Sequence, residues 1–162
     1  MPYWNPSRAH TRSFAGMVCR FGSIDGPQEL YSFSDNADRP RKLSSSRRGK
    51  RDPMFFMSKS NILQAIRSSS QPKDVFEIAR QGVALCEDWN SMRYLFMLDV
   101  PSNSHVDAWF GIAKSQPRLS LNHPQGSGSG ARGYLVGGWL QYIIELDDRL
   151  IGQVTGPILT GR

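Results

Sequence analysis

Arg51-Asp-Pro-Met-Phe-Phe-Met-Ser58-Lys-Ser60-Asn-Ile-Leu-Gln-Ala65-Ile66 is the stretch on which the fold turns. Pro53 opens a short apolar run, residues 54–57, that reads as a strand. The run ends in Ser58-Lys59-Ser60 and passes directly into a helical pattern over residues 61–68. A strand that delivers two hydroxyls to a helix start is a site-building arrangement, because such hydroxyls hold a backbone or a polar ligand in place. The plainer reading makes Ser60 a helix N-cap and Ser58 a strand end, since Ser ahead of a helical run is usually a cap.

Downstream, Ser69-Ser-Gln-Pro72 breaks the helix, and Pro72 suits the first position of a second one over residues 73–88. Asp74 and Glu77 fall in its first turn, where the helix dipole favours acids. From Tyr94 the period changes to two: Tyr94, Phe96, Leu98 and Val100 point one way, Leu95, Met97 and Asp99 the other. Pro101-Ser-Asn-Ser104 is a turn, and residues 106–112 read as a further strand. Residues 134–139, 140–145 and 150–155 are the last expected strands. Upstream, residues 17–21 read as a short strand carrying Arg20 among apolar neighbours, followed by turn chemistry at Gly22–Pro27. A strand, then helices, then a run of strands argues an α+β fold.

The chain has 162 residues, enough for one domain with one core. Residues 1–16 read as an N-terminal arm and residues 17–162 as a single domain. No run of eighteen apolar residues offers a membrane span, and the N-terminus shows no apolar signal-peptide region. Cys19 and Cys86 fall in different elements and read as buried thiols, although a disulfide between them is open. His10, His105 and His123 show no metal-ligand spacing, so no metal is expected.

The net charge of +6 has a local origin. Residues 39–51 hold seven of the twenty basic residues and no acid, leaving thirteen basic against fourteen acidic residues elsewhere. This basic loop (residues 39–52) is either a solvated surface segment or a patch that steers toward nucleic acid, acidic lipid or an acidic partner. Residues 125–131, with Gln125-Gly-Ser-Gly-Ser-Gly130, form a flexible Gly/Ser loop, natural or an engineered linker.

Four motifs in this order resemble the toxin-type ADP-ribosyltransferases of the Arg–Ser–Glu class. Val18-Cys19-Arg20, followed by Asp25-Gly-Pro-Gln-Glu-Leu30, resembles the family's first strand, whose Arg holds the dinucleotide. Phe55-Phe-Met-Ser58-Lys59-Ser60 resembles its Ser-Thr-Ser strand, with Lys59 in place of the Thr. Tyr94-Leu-Phe-Met-Leu-Asp99-Val100-Pro101 resembles its aromatic strand closing in Asp-Val-Pro, and Gly137-Gly138-Trp139 its Gly-Gly turn. The resemblance runs from about residue 17 to 155. It implies a small α+β domain of two packed antiparallel sheets with short helices.

It also implies NAD as co-substrate, no metal, and transfer of ADP-ribose to a macromolecular target, protein or nucleic acid. The chain would then be a secreted or injected effector acting in a target-cell cytoplasm, with an immunity or delivery partner. The resemblance puts Arg20 on the pyrophosphate, Ser58 at the nicotinamide ribose, Ser60 in support, and Phe55, Tyr31 or Trp139 against the nicotinamide ring. The family's catalytic Glu falls at Arg132 here, and residues 125–136 contain no acid. Glu145, Gln141 and Gln116 are the candidates for that role, although Glu145 equally begins a surface turn, Glu145-Leu-Asp-Asp148. Two rivals remain: a small basic ribonuclease or RNA-binding domain, with the 39–51 loop on phosphates and His105 or His123 in acid–base work, and an inactive transferase-like binding module. Each residue also has a plain structural reading, Arg20 as an edge-strand ion-pair partner and Trp139 and Trp109 as core.

Overall fold

The computed structural model describes residues 5–44, 53–118 and 133–161. Most of the basic run, all of the Gly/Ser loop, His123 and Arg132 lie outside the described residues. The chain opens with α1 (Arg8–Thr11) and a 3-10 turn at Ala15–Met17, then β1 (Arg20–Asp25), β2 (Gln28–Ser34) and α2 (Arg39–Ser44). Next come β3 (Met54–Ser58), α3 (Lys59–Ser68), α4 (Pro72–Val83), β4 (Tyr94–Val100) and β5 (His105–Ile112). It closes with β6 (Gln116–Pro117), β7 (Tyr134–Leu135), β8 (Leu140–Ile144), α5 (Asp148–Ile151) and β9 (Val154–Leu159).

Seven strands form one sheet in the order β1-β5-β8-β3-β2-β4-β9, and β6 pairs with β7 as a separate ribbon. Every pairing is antiparallel. The sheet is rolled, and its connections require it. β4 and β5 stand four strand spacings apart in the sheet order, about 19 Å if the sheet were flat. Yet they are joined by a turn in which Ser104 N donates to Pro101 O at 3.2 Å, which holds the turn's ends within about 7 Å. β1 and β2, also four spacings apart, are linked through Gly26-Pro27 alone, and Gly26 N donates to Ser104 O at 2.9 Å. A Cβ on Gly26 would stand 1.9 Å from Pro101 O, so no other residue fits between the two turns. The α+β expectation holds. The two expected sheets are the limbs of a single seven-stranded sheet, joined through β3.

Inside the roll, Leu30, Met54, Phe56, Phe96, Leu98, Val100, Val106 and Ile144 form the main core. The period-two reading of β4 is met by Phe96, Leu98 and Val100, all buried. Outside, α3 and α4 cover the limb of β2 and β4, packing Ile62, Phe76, Ala79 and Val83 on Phe33, Met57 and Leu95. Burying each such apolar side chain contributes about 1.5–3 kcal/mol. The N-terminal arm covers the other limb, where Phe14 is buried against Phe55, Trp109 and Ile143.

Several elements differ from the sequence reading. Residues 39–44, read as the start of the basic loop, form helix α2; the strand expected over residues 134–139 ends at Leu135; and residues 150–151 of the last expected strand belong to α5, so β9 runs from Val154 to Leu159. The first strand starts at Arg20 and continues through Gly22 and Ser23 to Asp25, because Phe110 of β5 lies over Gly22, where a Cβ would meet its ring at 2.8 Å. The second helix stops at Val83 instead of residue 88. Ala84 turns left-handed at φ 49°, and the buried Arg80 side chain binds the carbonyls of Leu85 and Asn90 at 2.7 and 2.9 Å. The guanidinium thus takes up carbonyls that a continuing helix would have used itself.

Candidate functional site

Ser58 is both strand end and cap. It closes β3, and its hydroxyl accepts from Asn61 N at 3.3 Å, which starts α3. Ser58 Oγ and Ser60 Oγ are 2.6 Å apart, so the two hydroxyls act as one pair. Asn61 Nδ2 donates to Leu140 O at 3.3 Å, which fastens the helix start to the head of β8. Lys59 forms an ion pair with Glu29 at 2.6 Å, and the Tyr31 hydroxyl donates to the same carboxylate at 3.0 Å. The Lys59 hydrogen bond, with help from Tyr31, holds the Glu29 carboxyl below its ordinary range. Lys59, which stands where the resembled family has Thr, therefore ties α3 to β2.

Arg20 opens β1 at the edge of the sheet and is exposed. Register places it in line with other residues: Arg20 pairs with Phe110, Phe110 with Tyr142, and Tyr142 with Phe56. Paired residues in antiparallel neighbours share a face, and alternate residues along a strand do too. Arg20, Phe110, Tyr142 and Ser58 therefore lie on the inner, concave face of the roll. Three strand spacings separate β1 from β3, about 14 Å. Between them the floor is Phe110 and Tyr142, whose ring centroids are 6.3 Å apart, with Ile112 and Leu140 beside them.

The other nominated residues stand elsewhere. Phe55 is on the outer face, against the rings of His10 and Phe14. Trp139 packs under α4, where a Cβ on Gly82 would touch its ring at 2.1 Å. Tyr31 also packs with the helices. Glu145 is 2% exposed, one residue past the end of β8. Gln141 is on the outer face of β8, and Gln116 is in β6. The structure thus brings Arg20 to the same face as Ser58 and Ser60, and brings neither Phe55, Trp139, Glu145, Gln141 nor Gln116 there.

A cavity of about 280 Å³ opens elsewhere, where β2 and β3 part. These strands pair only through Leu30 with Ser58 and Tyr31 with Met57. Beyond that point residues 32–36 and 53–56 diverge, and Arg39, Trp89, Asn90 and Gln141 reach the gap. The segment after α4 is pinned across it. Asn90 Nδ2 donates to Phe33 O at 2.7 Å, and Ser91 Oγ donates to Asp35 at 2.7 Å. Sequence reasoning passed over Asp35, Trp89 and Asn90, and took Arg39 only as part of the basic run. Asp35-Asn36 looks like turn chemistry, and Arg39 is one cation at the head of a basic run. Cys86, beside this segment, has its thiol pushed up to about 12 by burial, which makes it inert.

Compared with known proteins, the chain matches no family model, no curated protein and no solved structure. Among the described residues no helix is long and apolar enough to cross a membrane, and no cluster of His, Cys, Asp and Glu could hold a metal ion.

Proposed function

We propose that this chain is an NAD-dependent ADP-ribosyltransferase-like domain that binds the dinucleotide on the concave face between Arg20 and Ser58. The supporting observation is the row itself: an exposed guanidinium, an aromatic floor of Phe110 and Tyr142, and the coupled hydroxyls of Ser58 and Ser60 share one face. Arg20 offers a planar fork of donors to the pyrophosphate. The Ser58 hydroxyl, held by Ser60, would meet a hydroxyl of the nicotinamide ribose. The bond broken joins nicotinamide to C1′ of the ribose, and positive charge grows on the sugar as it breaks. A nearby carboxylate is the group that stabilises such charge.

Among the described residues sharing this face on β1, β5, β8 and β3, none is acidic. That favours a second reading: a binding module that holds NAD without turning it over. Labelled NAD, supplied with and without cell lysate, separates the two. Label transferred to a macromolecule, and lost in Arg20→Ala, is the result expected of the transferase. Saturable NAD binding without release of nicotinamide would leave the binding module. Free nicotinamide without transfer would make the chain a glycohydrolase. Absence of both turnover and binding would sink the NAD reading altogether.

A further inference from the structure

We infer that the fork between strands β2 and β3 is a binding site for an N-acylated amino acid, held as a strand one residue long. Neither Arg20 nor Ser58 lines the cavity there, so the inference stands apart from the NAD reading. Its volume of about 280 Å³ lies near the lower end of small-molecule pockets, about 300–1,000 Å³, which suits a ligand of this size rather than a longer peptide.

The ladder stops at one defined pair. Tyr31 pairs with Met57, and the next pair of the same kind in register is Phe33 with Phe55. That pair is not made. Phe33 O accepts instead from Asn90 Nδ2 at 2.7 Å, a side-chain amide standing in for the missing neighbour. Phe55 is on the other lip of the fork. Ala113 N donates to Trp139 O, so odd-numbered residues of β8 turn their backbone groups to β5 and even-numbered ones to β3. Tyr142 and Ile144 therefore bond Phe56 and Met54, and the N–H and C=O of Phe55 face the fork. Among the described residues no partner takes them. Both lips line the cavity, and a strand edge with a free N–H and C=O is a template for an added strand.

The ligand's chemistry follows from the two ends of the fork. It is closed at Tyr31 and Met57 and opens toward Ser34 and Met54. Arg39 follows β2 at the open end, lines the cavity and has no ion-pair partner among the described residues. Asp35, the single acid lining the cavity, is engaged by the amide and the hydroxyl of Ser91. A ligand residue antiparallel to β3 runs from the closed end to the open one. Its amide N–H donates to Phe55 O, and its carboxylate accepts from Phe55 N–H and from Arg39, whose guanidinium offers two parallel donors. At the closed end no lining acid meets an ammonium, and the paired strands stop the chain from continuing, so the amino group is acylated. Phe33, Met57 and Trp89 give the side chain and the acyl group apolar walls.

The test is calorimetric titration of the full chain with the N-acetyl derivatives of leucine, phenylalanine and methionine. Each is compared with its carboxamide, which removes the charge, and with its N-methyl form, which removes the amide N–H. At least one of the three acids is expected to bind saturably, with its carboxamide and its N-methyl form each about tenfold weaker or worse. Arg39 is half-buried and unpaired, so Arg39→Ala is expected to fold and to bring the acid down to the affinity of the carboxamide. Arg20→Ala is expected to bind the acid unchanged. Failure of all three acids to bind overturns the inference and leaves the NAD reading standing. Equal affinity for the acid and its N-methyl form overturns it too, as does an acid whose affinity Arg39→Ala leaves unchanged. Loss of binding in Arg20→Ala would assign the acid to the concave face and overturn it in turn. The expected pattern with no affinity for NAD would uphold it while the NAD reading fails.

Discussion

Gly82→Ala sets two opposed effects against each other. Gly82 is the penultimate residue of α4, and Ala there improves helix propensity by up to about 1 kcal/mol. The added methyl, however, would stand 2.1, 2.4 and 2.6 Å from three atoms of the Trp139 ring. Carbon atoms rest at about 3.5–4.0 Å, so the ring must retreat by about 1.5 Å. It is not free to do so. Trp139 N donates to Gly82 O at 3.1 Å, and Trp139 O accepts from Ala113 N at 2.8 Å, so the backbone on both sides moves with it. Overpacking of this kind costs about 1–3 kcal/mol, and a clash with a tethered ring belongs at the upper end. The net expectation is a loss of about 1–2 kcal/mol, seen as a fall in Tm of roughly 2–8 °C for a chain of this size. Thermal and urea unfolding followed by circular dichroism would measure it. In a Trp139→Leu background the clash is gone, and the same Gly82→Ala change should stabilise by up to about 1 kcal/mol. A variant as stable as the parent, with Trp139 in place, would refute the packing argument.

Three further outcomes are expected. Ser58→Ala should remove the α3 cap at a cost of about 1 kcal/mol, while Ser60→Ala, which leaves the Asn61 amide satisfied, should cost less by the same melting assay. Burial alone would raise the Glu77 carboxyl, but hydrogen bonds from Arg118 and Gln81 outweigh it and hold it below its ordinary value. Its contribution is therefore complete above the unfolded pKa of about 4.3 and is lost as pH falls through the lower folded value. Acid unfolding curves of the parent and Glu77→Gln should converge there; constant separation down to the lowest pH would argue against it. Cys86 is fully buried and Cys19 partly exposed, so a thiol reagent should modify Cys19 in the native protein and Cys86 only on unfolding. Equal rates would contradict the packing of Cys86.

Periodicity carried the reading where burial follows sequence locally. β4 shows it, because Phe96, Leu98 and Val100 alternate into one core while Leu95 and Met97 meet β9 and the helices from the other side. The same logic misplaced the first strand. Met17 and Val18 are 56% and 60% exposed, so their apolarity did not mark a buried strand, whereas Gly22 enters one because a distant ring covers it. At the site, the Ser58-Lys59-Ser60 pattern was legible because strand end and helix start meet there, although the cap is Ser58 itself and not Ser60 as the sequence suggested. The placement of Arg20 on the same face depends on β5 and β8 lying between, which no local pattern reveals. Gln141 is harder still. Its amide nitrogen donates to Val83 O, a carbonyl 58 residues away.

The roll has a consequence for how the chain comes together in time. Within the large sheet, β2–β3 and β5–β8 alone are neighbours both in strand order and in space; β2 and β3 share two residue pairs, and the β6–β7 ribbon intervenes between β5 and β8. Arg20 of β1 pairs with Phe110 and Met54 of β3 with Ile144, each a partner ninety residues on. At about 5–20 residues per second of synthesis, each strand emerges roughly 5–18 seconds ahead of that partner. Closing loops of this length before any pairing repays them puts refolding in the slow regime, on the order of milliseconds to seconds. Until Gly138 and the strand after it leave the ribosome, the apolar run Met54-Phe55-Phe56-Met57 has no β8 to cover its flank. That four-residue apolar run is then open to association with other nascent chains.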